Sequence, residues 1–298
     1  MIDLHTHTLY SDGTDSVKDL LVKADTLGIR CLSITDHNTV DAYFDSAMDH
    51  WHDLFSGTLV PGVEITCMYE GEIVEVLGYG FDLAKMKHSL ASLVLPGSEK
   101  QIREKELIEN VFNRVGVHYN PEKISFDPNH ESSRKCFWSE LIQDPANLRL
   151  LTDPESAKKS SIFTRHEIYN PDSPLYVDES SLYPTICAAS QAIHNCGGIA
   201  LLAHLYEYAH ADEFRLRLLS ILKGNDLDGA ECAHSCFRLE QIADLETFCS
   251  KNALLRSGGS DYHGSRKANI SLGTGSGLLK VPEAYMNDWP ASLQIYKK

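Results

Sequence analysis

Short apolar runs that end in histidine, aspartate or glutamate recur through this chain of 298 residues, and they constrain its fold more than any other feature. The first, MIDLHTHTLYSDG, places His5 and His7 one residue apart. SITDHN closes on Asp36 and His37, TLVPGVEIT carries Glu64, IALLAHL carries His204, and NALLRSGGSDYHG carries Asp261 and His263. Alternate residues of a strand point to one face, so His5 and His7 would aim both imidazoles at one point. Helix-spaced segments lie between the runs. Residues 16–27 (SVKDLLVKADTL) start at a serine and stop at Gly28, and residues 181–195 read as a helix broken by Gly197 and Gly198. EIVEVLGYGF (72–81) and LDGAE (227–231) add further strand-like runs. This β-then-α alternation predicts parallel strands with covering helices. In parallel barrels the carboxyl ends of the strands share one face. Imidazoles and carboxylates gathered there predict a metal centre. The other histidines (His50, His52, His88, His118, His130, His194, His210) have no such strand-end context and read as surface residues.

Residues 91–180 break the pattern. One helix, 99–115, has Ile108, Val111, Phe112 and Val115 on one face and Gly116 at its end. Around it, segments such as NPEKISFDPNHESS and NPDSPLYVDESS are rich in Pro, Asn, Asp and Ser, yet aromatics recur. An inserted, mostly helical subdomain is expected, between barrel segments 1–90 and 181–298.

Composition narrows the function. The formal charge of −15 opposes general coating of nucleic acid, which needs many Lys and Arg on phosphates. No long nucleic acid is expected as a partner. No run reaches the length of a membrane span, and no basic-then-apolar leader is visible. Eight scattered cysteines in a chain able to build its own core fit reduced thiols, so a cytoplasmic location is expected.

The segments HTHTLYSDG, SITDHNTV, PGVEI, ALLAH and GGSDYHG, in this order, resemble the signature segments of the PHP family, named for polymerases and histidinol phosphatases. The resemblance covers residues 1–82 and about 181–275. It implies an α/β fold, a distorted (β/α)7 barrel holding two or three divalent metals (Mn, Fe, Zn or Mg). The insert resembles that of the branch acting on AMP or 3′,5′-nucleoside bisphosphates and of an exonuclease that trims RNA 5′ ends. The resemblance places His5, His7, Glu64 and Asp261 on a first metal, has Glu64 bridge to a second with His204, and gives Asp12, His37 and His263 to a third. Glu64, Arg134 and His204 are the catalytic candidates. The implied reaction is hydrolysis of a phosphomonoester by a hydroxide bridging two metals.

Three departures from that pattern bear on substrate and metal. Glu75 stands where the branch has a histidine ligand of the second metal; it can ligate, and the more anionic shell favours Mn²⁺, Mg²⁺ or Fe²⁺ over Zn²⁺. The Arg-x-His of the insert becomes Arg134-Lys135-Cys136, with Arg134 retained as a bidentate phosphate contact and Arg165-His166 as the competing match. Leu205 replaces the proline after His204. The stretch Cys232-Ala-His234-Ser-Cys236 suggests a zinc clip but lacks a second Cys/His pair, so His234 is expected to line the substrate pocket. Cys67 reads as a small buried residue. Phe126, Phe137, Trp138 and Tyr206 are candidates for stacking on a base. The expected substrate is a small nucleotide. The alternatives are short RNA, a histidinol-phosphate-type ester, and a non-catalytic metal-stabilised binding domain. For RNA, Lys123, Arg134, Lys135, Lys158 and Lys159 give only a modest basic groove.

Overall fold

The computed structural model describes residues 1–124, 126–208, 212–224 and 227–297. His210 lies outside them. The chain forms two compact units: Met1–Leu93 with Pro184–Lys298, and Val94–Tyr183. None of the described helices is long and apolar enough to cross a membrane.

The first unit is a ring of short strands. β1 (Ile2–Asp3), β2 (Cys31–Leu32) and β3 (Thr58–Leu59) pair in parallel. β4 (Gly62–Tyr69), β5 (Glu72–Tyr79), β6 (Ile199–Leu202), β7 (Gly229–His234) and β8 (Leu255–Gly259) form a second sheet in that order. Two seams join the sheets. Leu4 N–H donates to Gly258 C=O (3.1 Å) and Asp261 N–H to His5 C=O (2.9 Å), while Asn38 N–H donates to Glu64 C=O (2.7 Å). Because Val60-Pro61 merely interrupts one extended run from β3 into β4, the ring has the strand count of the expected α/β barrel, the distorted (β/α)7 form. Gly259 makes the first seam possible: a Cβ there would lie 2.3 Å from His5 N.

The expectation of all-parallel strands fails at one place. β5 runs antiparallel to both β4 and β6. Only Glu70 and Gly71 separate β4 from β5, both at positive φ (51° and 83°), and a two-residue link can make only a hairpin.

Helices cover the ring. In α1 (Val17–Thr26), Ser16 caps the start by accepting from Asp19 N–H, and Val17, Leu20, Leu21 and Ala24 are buried. α2 (Trp51–Leu54) is a single turn, and α3 (Leu83–Leu93) carries the first unit past residue 90. The helix expected from 181 begins later. Residues Ser180–Leu182 form a 3₁₀ turn, Pro184 follows, and Thr185 then caps the helix Ile186–Asn195.

The second unit is helical. α4 (Gly97–Val115) ends at Gly116 in the left-handed conformation (φ 78°) and α5 is Ser133–Leu141. Its core joins Ile108, Val111 and Phe112 of α4 to Phe137 and Leu141 of α5 and to Phe163, Ile168, Leu175 and Val177. Phe137 packs edge-on to Phe112 with ring centroids 5.1 Å apart, and Trp138 Nε1–H donates to Ser156 C=O (2.8 Å). Two of the residues expected to stack on a base are therefore occupied in holding the insert together.

Candidate metal centre

One face of the first unit's ring, where the carboxyl ends of the parallel strands meet the amino-terminal half of antiparallel β5, brings ten of the sequence candidates together: His5, His7, Asp12, His37, Glu64, Glu75, His204, His234, Asp261 and His263. Local structure aims each one. Thr6 Oγ1–H donates to Ser33 C=O (2.8 Å), which fixes the strand so that His5 and His7, both fully buried, project into the ring with centroids 5.2 Å apart. Asp36 accepts from Thr8 N–H (2.7 Å), Thr8 Oγ1 (2.6 Å) and Ser11 Oγ (2.5 Å), folding back the loop that carries Asp12. That loop is tight, since a Cβ on Gly13 would lie 2.4 Å from His7 O. Asp261 sits at φ 55°, a conformation non-glycine residues adopt rarely, and the strain turns its carboxylate inward.

Glu64 is the hub. Its Oε2 lies 3.2 Å from His5 Nε2, His7 Nε2 and His37 Nδ1, and its Oε1 lies 2.9 Å from His204 Nε2. Glu75 stands beside it, 3.2 Å from His37 Nδ1 and 3.1 Å from His204 Nε2. Asp261 Oδ1 lies 3.3 Å from His7 Nε2 and 3.6 Å from His5 Nε2. Asp12 Oδ1 lies 3.1 Å from His263 Nε2 and 3.7 Å from His37 Nε2. Among the groups whose ligand atoms all lie within 4.8 Å of one another are His5, Glu64 and His204; His5, His7 and Asp261; and His7, Asp12, His37 and His263.

Charge follows from this crowding. Burial alone would lower the His5 imidazole, but the carboxylates of Glu64, Glu231 and Asp261 outweigh it and hold His5 well above its usual value. His37 is raised to about 9, Glu64 and Glu75 against burial and chiefly Glu64. Burial would raise Glu64 and Asp261, and the surrounding imidazoles hold both well below the carboxylate range. Asp12 falls to about 2 as His263, His37 and His7 outweigh its burial.

The donor set suits divalent cations. His5 Nε2, His7 Nε2, His37 Nδ1, His204 Nδ1 and Asp12 Oδ1 are buried with no hydrogen-bond partner in the protein. Three of them approach Glu64 Oε2 to 3.2 Å without the alignment of a hydrogen bond. Unpaired buried nitrogens are costly, and converging imidazole lone pairs interleaved with carboxylates are what a metal shell requires.

One member was missed in the sequence. Glu231, fully buried in β7, accepts from His5 Nδ1–H (3.0 Å) and His204 N–H (2.9 Å). That contact leaves the His5 Nε2 lone pair facing the cluster, the carboxylate–imidazole arrangement typical behind metal ligands. Its signal was a lone charge in the apolar strand GAECAH. Lys267, also missed, forms an ion pair with Asp261.

The other candidates lie in the second unit. Arg134 donates from Nη2 to Glu104 and to both Glu179 oxygens (3.0 and 3.1 Å) and stacks on Tyr169 (4.9 Å). His166 Nδ1 meets Asp153 Oδ2 (2.5 Å), and Arg165 is exposed. Lys158 pairs with Glu155 (2.5 Å), while Lys123, Lys135 and Lys159 are separate exposed side chains. Cys67 is buried, and burial pushes its thiol up. Leu205 is buried and opens a 3₁₀ turn. Tyr206 meets Phe237 edge-on with centroids 5.0 Å apart. The remaining background histidines are exposed, three of them paired with surface aspartates.

The chain is similar to known proteins over most of its length. Residues 3–135 match the PHP domain. A 5′-3′ exoribonuclease of Haemophilus influenzae is 27% identical over 270 residues, covering 88% of this chain and 89% of the relative. A 3′,5′-nucleoside bisphosphate phosphatase of Chromobacterium violaceum is 24% identical over 274 residues, covering 91% of this chain and 90% of the relative. Among solved structures, an amidohydrolase from Chromobacterium violaceum with bound sulfate superposes with a TM-score of 0.60 at 20% identity, over 98% of this chain and 93% of its own. That likeness shows the shared fold.

Proposed function

We propose that this chain, a metal-dependent phosphoesterase carrying a PHP domain, removes phosphate from a small nucleotide of the AMP or 3′,5′-bisphosphate type. The observation that carries the reading is the convergence of unpaired imidazole nitrogens and carboxylates around Glu64. His5, His7, Glu64 and Asp261 would hold one cation, Glu64, Glu75 and His204 a second, and Asp12, His37 and His263 a third. Divalent cations there would supply a water of lowered pKa and neutralise charge on the phosphoryl oxygens. Glu75 adds a hard oxygen ligand, which favours Mn²⁺, Mg²⁺ or Fe²⁺ over Zn²⁺.

The chain's own groups hold the shell in shape. Glu231 fixes the tautomer of His5, and His263 Nδ1–H donates to Asp261 C=O (2.8 Å), turning its Nε2 to Asp12. His234, buried with Nε2 3.5 Å from Asp261 Oδ2, would line the substrate pocket. In the insert, Arg134 already answers two carboxylates, so a phosphate would be its third anion. Arg165 and His166 remain the alternative phosphate contacts.

The test is a panel of nucleoside mono- and bisphosphates with the metal-loaded protein. Phosphate release should stop with EDTA and return with Mn²⁺. Loaded protein that is inert on every ester would sink the reading. The Haemophilus influenzae relative supports a second reading, stepwise cleavage of short RNA from the 5′ end. A 5′-labelled oligoribonucleotide separates the two, because only the nuclease releases mononucleotides from it.

A further inference from the structure

The stretch Cys232-Ala-His234-Ser-Cys236 is not absorbed by the metal centre, and the structure divides it. Cys232 is buried within β7, its Sγ 3.6 Å from that of Cys249. Cys236 lies beyond the strand and is exposed. The second thiol therefore has no sulfur partner, but it has another neighbour that the sequence did not offer. Glu207, from the turn after His204, brings Oε1 to 3.8 Å from His234 Nδ1, and the ligand atoms of Glu207, His234 and Cys236 all lie within 4.8 Å of one another.

We propose that Glu207, His234 and Cys236 form a separate, solvent-facing site for one divalent cation of the zinc type. Three ligands of mixed kind with an open side match a zinc site that keeps a position for water. A thiolate disfavours Mn²⁺, Mg²⁺ and Ca²⁺, so this site and the carboxylate-rich cluster select different ions. The His234 ring supports the assignment. It is 1% exposed, and its Nδ1 lone pair is engaged only by a long hydrogen bond from Cys236 N–H (3.4 Å), which a cation held with Glu207 and Cys236 would displace. Its Nε2 is buried without a hydrogen-bond partner and faces Asp261, so one imidazole stands between the two sites. A free thiolate beside the Glu207 carboxylate is disfavoured: burial and Glu207 push the Cys236 thiol up to about 12. A cation shared by both removes that conflict, and the thiol proton leaves to solvent as the sulfur binds.

The proposal does not depend on phosphoesterase activity, and Co²⁺ tests it optically in the full-length protein. No cysteine belongs to the metal centre, so a thiolate-to-Co²⁺ charge-transfer band reports Cys236. The band should appear in the wild type, vanish in Cys236→Ser, persist in Cys187→Ser, and need at least about tenfold more Co²⁺ in Glu207→Gln. Zn²⁺ should displace it and protect Cys236 from alkylation. Absence of the band at saturating Co²⁺, or an undiminished band in Cys236→Ser with native circular dichroism, would overturn the proposal.

Discussion

Each unit buries a cluster of charge, and the two clusters are built on opposite principles. In the insert, Arg134 is matched by Glu104 and Glu179, Ser133 Oγ donates to Glu104, and Lys100 lies 3.7 Å from the Tyr183 ring centroid. Nearby in sequence, Glu167 accepts from Thr152 N–H (3.1 Å), Asp153 N–H (3.0 Å), Ser156 Oγ (3.0 Å) and Ser173 Oγ (2.7 Å). These carboxylates are answered by donors and fasten loops. In the barrel, imidazoles face carboxylates at similar distances, yet His5 Nε2, His7 Nε2, His37 Nδ1 and His204 Nδ1 lack aligned partners. Carboxylates answered by donors serve the fold; imidazole nitrogens left open while they converge on carboxylates suit a ligand, whereas a scattered open atom such as Arg134 Nε does not.

The contrast can be broken most sharply at Glu64. Glu64→Ala should lose bound metal and lower turnover by more than about 100-fold while the chain stays folded, read by metal analysis beside circular dichroism. Metal retained at the wild-type level would end the view of Glu64 as hub. Arg134→Ala should do the reverse. It leaves two buried carboxylates unanswered, at a cost of about 3–5 kcal/mol, seen as a lower denaturation midpoint with barrel metal content unchanged. Loss of turnover without loss of stability would instead return Arg134 to the substrate. Glu231→Gln is an intermediate case: it keeps the volume but weakens the hold on His5, and metal affinity should fall by about 10–100-fold.

The smallest effect concerns acid. Burial would raise Glu167, but hydrogen bonds from Ser173, Asp153, Thr152 and Ser156 hold it below the ordinary glutamate value. A depressed folded pKa gives stability that is present above the unfolded value and lost as pH falls through the folded one. Trp138 is the insert's tryptophan, so its fluorescence in a Trp51→Phe, Trp289→Phe background should report acid loosening. Glu167→Gln should flatten that dependence; an unchanged profile would remove Glu167 from the account.

Much of the barrel could be read in advance because strand-end ligands and helix caps are local signals. His5-Thr6-His7 follows from strand periodicity, α1 from Ser16 and Gly28, and the end of α4 from Gly116. The antiparallel β5 was legible in principle, since Glu70-Gly71 is too short for a crossover. Phe137 and Trp138 were misread because an aromatic on a helix shows the same spacing whether it faces a core or a base. Arg134 could not be read as part of an ion cluster, because Glu104 and Glu179 are 30 and 45 residues away.

The sequence by itself determined which residue types stand at strand ends and in what order, hence the barrel and the candidate ligands gathered on one face of it. Periodicity and caps act over a few residues, and one chain carries that information directly. Only the tertiary structure decided the pairings across long separations: Glu231 behind His5, 226 residues apart, and Glu207 beside His234 and Cys236. Those contacts depend on how the ring closes, and closure is a property of all its strands at once.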